Sequence, residues 1–354
     1  MLKYSVQCSV FVLVLLCACS SNRSFYKNVF FANDEAVSCV GRFDFSTPEQ
    51  PKVWAPGAYI TFRFKGSFCD IVIFDENKYG IYHNYISISV DDQPAKRILL
   101  SEVENYIHVT GPIRKGIHRV LICKDTESGI GYIQFGSIRC KELKNLKRKK
   151  KKLIEFIGDS ITCGNGCDTT SVDCGEGLWS DQHNAYESYG PKVARRLNAD
   201  WMLSAVSGIG ITRSCCGTNY TLPDVYTKID FNLEGEQWNF KRLKPYLVCI
   251  TLGQNDGLQN PVLFCNTYKQ FIKRVRYLNP KAIIVVCSSP MANKELTAYH
   301  RKYIPIVVKQ LKKAGMRNCY PFLYANSYRG GCGNHPSMSE HSQMAIELAR
   351  FLTN

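Results

Sequence analysis

Four short runs set the strongest limit on what this chain can fold into: 153–157 (Leu-Ile-Glu-Phe-Ile), 202–206 (Met-Leu-Ser-Ala-Val), 246–252 (Tyr-Leu-Val-Cys-Ile-Thr-Leu) and 282–287 (Ala-Ile-Ile-Val-Val-Cys). Each is nearly continuous in apolar residues, the pattern of a strand covered on both faces, as in a parallel sheet. Between and after them lie longer amphipathic stretches, 188–197, 268–278, 299–314 and 339–352, which read as helices. This alternation predicts an α/β layer with a doubly wound parallel sheet. In such a sheet ligands collect just beyond the carboxyl ends of the strands.

Upstream the pattern changes. From about residue 33 to 140 the β-rich runs are short (58–64, 70–74, 85–90, 118–123 and 131–135). Turn signals such as Lys65-Gly66-Ser67 and Asp91-Asp92-Gln93-Pro94 separate them, and no long 3.6-residue periodicity intervenes. An antiparallel β-sandwich is expected over 33–145. The run Lys147-Arg148-Lys149-Lys150-Lys151-Lys152 reads as a solvated linker, 146–152, which places a second domain at 153–354; a chain of 354 residues suits two domains. This run also supplies much of the net charge of +15. No motif with interleaved aromatics accompanies it, so nucleic acid is not expected as a partner; the basic surface suits acidic glycans or an anionic membrane face.

At the N-terminus Lys3 precedes an apolar run, 10–16, too short to span a bilayer, and 1–18 reads as an export signal. Leu16-Cys17-Ala18-Cys19 followed by Ser20-Ser21-Asn22 has the form of a bacterial lipobox. The expectation is a lipid anchor on Cys19, a tether over 19–32, and a place in the bacterial cell envelope, periplasmic or at the cell surface. An ordinary signal peptide cut near Ala18, or an uncleaved anchor, is the alternative. Of 17 cysteines, fourteen follow Cys19, and an exported protein can oxidise some of them. Cys163, Cys167 and Cys174, with Cys215-Cys216, could be zinc ligands, but they lack a paired Cys-x-x-Cys spacing and no metal is expected.

The residues able to carry chemistry stand where the strands end. Run 153–157 leads into Gly158-Asp159-Ser160-Ile161-Thr162, run 202–206 into Ser207-Gly208-Ile209-Gly210, and run 246–252 into Gly253-Gln254-Asn255-Asp256. His335-Pro336 comes just before the last helix. Ser160, Gly208, Asn255 and His335, in this order, resemble the four blocks of the GDSL/SGNH hydrolase superfamily. Gly41-Arg42-Phe43, Lys124-Asp125-Thr126-Glu127, Trp238 with Phe240 and Pro245, and Cys332-Gly333-Asn334-His335-Pro336-Ser337 extend the resemblance to the family 2 carbohydrate esterases. That resemblance runs from about residue 40 to the C-terminus. It implies an N-terminal jelly-roll sandwich joined to a flavodoxin-like SGNH domain. The activity it implies is removal of O-acetyl groups from polysaccharide or oligosaccharide, such as acetylated xylan or mannan, without metal or organic cofactor.

By the same resemblance Ser160 is the nucleophile and His335 the general base. A serine hydroxyl attacks only when a base takes its proton, and His335 would return that proton to the departing sugar oxygen. The oxyanion hole would be the backbone N–H groups of Ser160 and Gly208 with the amide of Asn255, which donates without carrying charge. The chain departs from the family pattern at the third triad member: Gly333 and Cys332 stand where relatives carry Asp. A Ser–His dyad is therefore expected, its Nδ1 proton held by a backbone carbonyl or by the Asn334 side chain. Asp159 and Asp256 are expected to cap and brace their turns. Trp179, Trp238 and Tyr186 offer faces for sugar rings or pack in the core. Cys163 and Cys332 flank nucleophile and base, and a disulfide between them is an expectation. The missing acid leaves a second reading, a surface glycan-binding lipoprotein with a degenerate site. A third, an esterase for lipid or thioester substrates, fits the N-terminal segment less well.

Overall fold

The computed structural model describes residues 28–112, 116–145 and 151–353. The export signal, Cys19 and most of the basic run lie outside the described residues. Two antiparallel six-stranded sheets form the N-terminal half. One is built around Phe68–Asp75, Glu104–Thr110 and Ile133–Cys140, the other around Tyr59–Lys65, Tyr85–Val90 and Ile117–Lys124. Their facing side chains, among them Phe62, Phe64, Ile73, Ile86, Val120 and Ile133, are fully buried, as period-2 patterning requires. The segment read as a tether, 19–32, contributes a strand to this sandwich: Asn28–Phe30 pairs with Ile138, Arg139 and Cys140.

The C-terminal half is a five-stranded parallel sheet. Its strands are β1 (Leu153–Gly158), β2 (Asp200–Ala205), β3 (Leu247–Thr251), β4 (Ile283–Cys287) and β5 (Cys319–Phe322). They lie in the order β2-β1-β3-β4-β5, the doubly wound arrangement expected of a flavodoxin-like layer. Helix α1 (Ser160–Cys163) follows β1, and α2 (Tyr189–Arg196) and α5 (Met338–Thr353) pack on one face. Helices α3 (Pro261–Leu278) and α4 (Lys294–Lys313) cover the other. Both begin earlier than their apolar periodicity suggested, because Asn260 and Asn293 cap them by accepting from the amides of Val262, Leu263 and Leu296. Among the described residues no helix is long and apolar enough to cross a membrane.

The two halves share a desolvated interface. Tyr59 of the sandwich stacks on Trp201 at 4.3 Å between ring centroids, and the Trp201 indole donates to the Gly57 carbonyl at 2.8 Å. Arg42 crosses the interface with no exposed surface. Its guanidinium donates to Ser204 Oγ at 2.9 Å and Glu155 Oε1 at 3.3 Å, groups on neighbouring strands β2 and β1. It also donates to the carbonyl of Lys228 at 2.9 Å, and the rings of Tyr226, Phe231 and Phe240 lie 4.9, 4.8 and 5.4 Å from it. Removing one partner of such a pair strands the other charge in a dry interior. Arg42→Ala is expected to lower the unfolding free energy by about 3–5 kcal/mol in urea titration. A loss under about 1 kcal/mol, the size measured for solvated surface pairs, would show that the interface is wet.

Candidate active site

The carboxyl ends of β1, β2 and β3 deliver three of the four sequence blocks to one rim. At the end of β1 the buried Asp159 caps α1, its Oδ1 accepting the Ile161 amide at 3.0 Å. Burial, the larger effect, pushes the Asp159 carboxyl up to about 7. Ser160 is thereby fixed at the first turn of α1 with its hydroxyl on the rim. After β2 the chain turns through Ser207 and Gly208, and Gly208 has a φ of 75°, which a side chain would resist. After β3, Asp256 gathers the amides of Ile211 and Thr212 at 2.9 and 2.6 Å, so it braces the loop beside the rim and reaches no reacting group.

His335 arrives from the opposite end of the sequence, and its Nε2 lies 2.9 Å from Ser160 Oγ. Three features hold its loop. The Cys332 amide donates to the Gly166 carbonyl at 2.8 Å and the Met338 amide to the Cys167 carbonyl at 3.1 Å, pinning the loop to the segment that follows the nucleophile. Glu340 accepts the amides of Ser337 and Gly330 at 2.8 and 2.7 Å, a capping box that opens α5. Cys332 is bonded to Cys174. The expected Cys163–Cys332 bridge is thus not formed. Cys163 points inward, fully buried, with its thiol 3.6 Å from Glu127 Oε2.

Among the described residues no carboxylate pairs with the imidazole; the main-chain groups of Cys332 and Gly333 lie near the ring and favour its charged form. Asn334 is exposed. Burial, the larger influence, lowers His335 below the ordinary imidazole value of 6.5, and the two main-chain groups oppose it. The ring therefore rests neutral near pH 7, able to accept a proton.

The donors expected of an oxyanion hole converge on the same cavity, of about 440 Å³, lined by Ser160, Gly208, Asn255 and His335. Asn255 spends one N–H on the Ile209 carbonyl at 2.8 Å, which orients the amide and leaves its second N–H for the cavity. Cys215 and Cys216, bonded to each other, line the cavity beside Gly208, with the Cys215 amide donating to the Gly208 carbonyl at 2.8 Å. Trp179 is 47% exposed and stands between this cavity and a second of about 400 Å³ beside Gly175 and Gln182. On the other side Gln254 and Met291 open into a third, of about 370 Å³, that reaches Arg329. Both neighbouring cavities share lining residues with the one that holds Ser160 and His335.

The two other aromatic candidates belong to the core. Trp238 is 5% exposed and lines none of these cavities; its amide donates to the Thr227 carbonyl at 2.7 Å. Tyr186 packs beneath the Arg195 guanidinium, 4.0 Å from its ring, against Trp201. Sequence reasoning missed Glu340, although Ser337-Met338-Ser339-Glu340 is a capping-box signature. It also left Glu127 without a role.

Residues 39–148 match the Carbohydrate esterase 2 N-terminal family and residues 156–337 the GDSL-like Lipase/Acylhydrolase family. The chain is 30% identical over 325 residues to the Cellulase/esterase CelE of Acetivibrio thermocellus, a match covering 89% of this chain and 39% of that protein. It therefore spans well under half the length of that relative. It is 26% identical to an acetylxylan esterase / glucomannan deacetylase of Cellvibrio japonicus, over 94% of this chain and 93% of that one. Among solved structures, a family two carbohydrate esterase from Clostridium thermocellum in complex with cellohexaose superposes with a TM-score of 0.82 at 29% identity, covering 90% of this chain and 98% of that one. The chain belongs to the GDSL-like lipase/acylhydrolase family of ester hydrolases and carries the N-terminal domain of the family 2 carbohydrate esterases.

Proposed function

We propose that the protein removes O-acetyl groups from a polysaccharide of the acetylated xylan or mannan type, using Ser160 and His335 as a dyad. The observation that carries this reading is the 2.9 Å approach of the His335 imidazole to the Ser160 hydroxyl. Ser160 Oγ attacks the acetyl carbonyl as its proton passes to Nε2. The carbonyl electrons move onto oxygen, where the amides of Ser160 and Gly208 and the free N–H of Asn255 meet them. Collapse expels the sugar oxygen, which takes the proton from Nε2 and leaves an acetyl-serine. Water repeats the sequence and releases acetate.

A polymeric substrate is supported by the two cavities that adjoin the dyad cavity and by the exposed Trp179 face, which a pyranose ring can stack on. Release of acetate from acetylated xylan or glucomannan should fall by at least about a thousandfold in Ser160→Ala, measured beside the wild type. Turnover unchanged in that variant would defeat the proposal. Tight oligosaccharide binding by the wild type without acetate release would favour the glycan-binding reading, to which the missing triad acid points.

The pH profile follows from the state of His335. Its neutral form is the base, so kcat/KM is lost as the pH falls through its pKa, which burial sets below 6.5. On p-nitrophenyl acetate the acid limb should therefore have its midpoint below pH 6.5; a midpoint above it would mean the ring is held by a negative charge.

A further inference from the structure

The segment Lys124-Asp125-Thr126-Glu127 belongs to the sandwich, yet its end lies against the rim of the parallel sheet. Glu127 is 2% exposed. Its Oε2 accepts the Ser207 amide at 2.6 Å, and the Cys163 thiol lies 3.6 Å from the same oxygen. Ser207 immediately precedes Gly208, and Cys163 ends the helix that begins at Ser160. One carboxylate oxygen thus touches both elements whose backbone amides face the developing oxyanion.

The backbone that carries Glu127 is itself braced from the sandwich, while its Oε1 is buried without a hydrogen-bond partner. The buried Lys124 ammonium donates to the Thr126 carbonyl at 2.7 Å and the Glu127 carbonyl at 3.2 Å, closing the segment on itself. Asp125 accepts the Tyr186 amide at 3.3 Å and the Ser87 hydroxyl at 2.7 Å, and its carbonyl accepts the Ala185 amide at 3.0 Å, fastening the segment to both halves. On the far side of the turn the Gly208 carbonyl takes the Cys215 amide. The turn that aims the Gly208 N–H is therefore clamped at both ends, one clamp coming from another domain.

We propose that Glu127 is a positioning residue for the oxyanion hole, so that the N-terminal sandwich supplies part of the hydrolytic machinery. The inference rests on the esterase reading above. An oxyanion hole works only when its donors are preorganised, and a displacement of about 1 Å in a reacting group can cost roughly a hundredfold in rate. Without the Glu127 acceptor the half-buried Ser207 amide loses its partner, and the turn relaxes away from its aim.

The test uses p-nitrophenyl acetate, too small to report on glycan binding by the sandwich. Glu127→Met keeps the packing and removes the acceptor; Glu127→Gln keeps an acceptor oxygen at the same reach. The Met variant is expected to lose about 10- to 100-fold in kcat with KM within about twofold, and the Gln variant to recover most of that loss. If the Met variant does not fold, Glu127→Asp, which keeps the charge but withdraws the oxygen by one methylene, carries the same expectation. Wild-type kcat in a folded Met or Asp variant, while Ser160→Ala is inactive, would overturn the role of Glu127 alone. Hydrolysis that survives Ser160→Ala would overturn the esterase reading and this inference with it.

Discussion

The charged pair Arg42–Glu155, sealed between the sandwich and the parallel sheet, constrains the molecule more than any other contact. Taking two ions out of water costs several kcal/mol each, and the cost is offset only if every remaining donor finds a partner. Here the two terminal nitrogens of the guanidinium reach a carboxylate, a hydroxyl and main-chain carbonyls, Nε is left without a partner, and three aromatic rings cover the group. Those partners come from β1, β2 and the segment 226–240, so the pair can form only when the two halves are docked in one relative position. Glu155 lies on the strand that leads to Ser160, and Ser204 on the strand that leads to Gly208. The strands that present the nucleophile and the oxyanion turn are thereby registered against the sandwich before any loop geometry is considered.

A second consequence concerns the base. In a triad, a carboxylate holds the imidazole and stabilises its charged form. In the proposed dyad that work would fall to the peptide groups of Cys332 and Gly333, which carry partial charge and are only as steady as the loop they belong to. The loop is correspondingly over-determined: the Cys174–Cys332 bond, the two amide contacts to residues 166 and 167, and the Glu340 capping box all act within a few residues of His335. Gly166 permits one of these contacts, since a Cβ there would come within 2.5 Å of the Cys332 carbonyl oxygen. In the proposed dyad, rigidity of the backbone would stand in for the missing charge.

Much of this was legible in the sequence, and the parts that were not have physical reasons. The buried parallel strands announce themselves because both faces are apolar. β5 does not: Cys319-Tyr320-Pro321-Phe322 is short and half exposed, and its proline is tolerated only because it lies at the sheet edge. The motif residues at the strand ends could be read because the fold places ligands there. Trp238 could not be told from a surface aromatic, since a tryptophan stacked on sugar and one packed in a core have the same local sequence. The partner of Cys332 depends on how the loop 168–182 folds back, which no spacing rule encodes. Glu127 was quoted only as part of a resembling segment, because its contacts lie 36 and 80 residues away in the other half of the molecule.

The most direct test of a serine activated by an imidazole without a carboxylate is labelling with a fluorophosphonate, located by peptide mass spectrometry. A single adduct on Ser160 in the wild type, with labelling slowed by about a hundredfold or more in His335→Ala, is the expected result. Labelling at another residue, or a rate on Ser160 indifferent to the loss of His335, would contradict it.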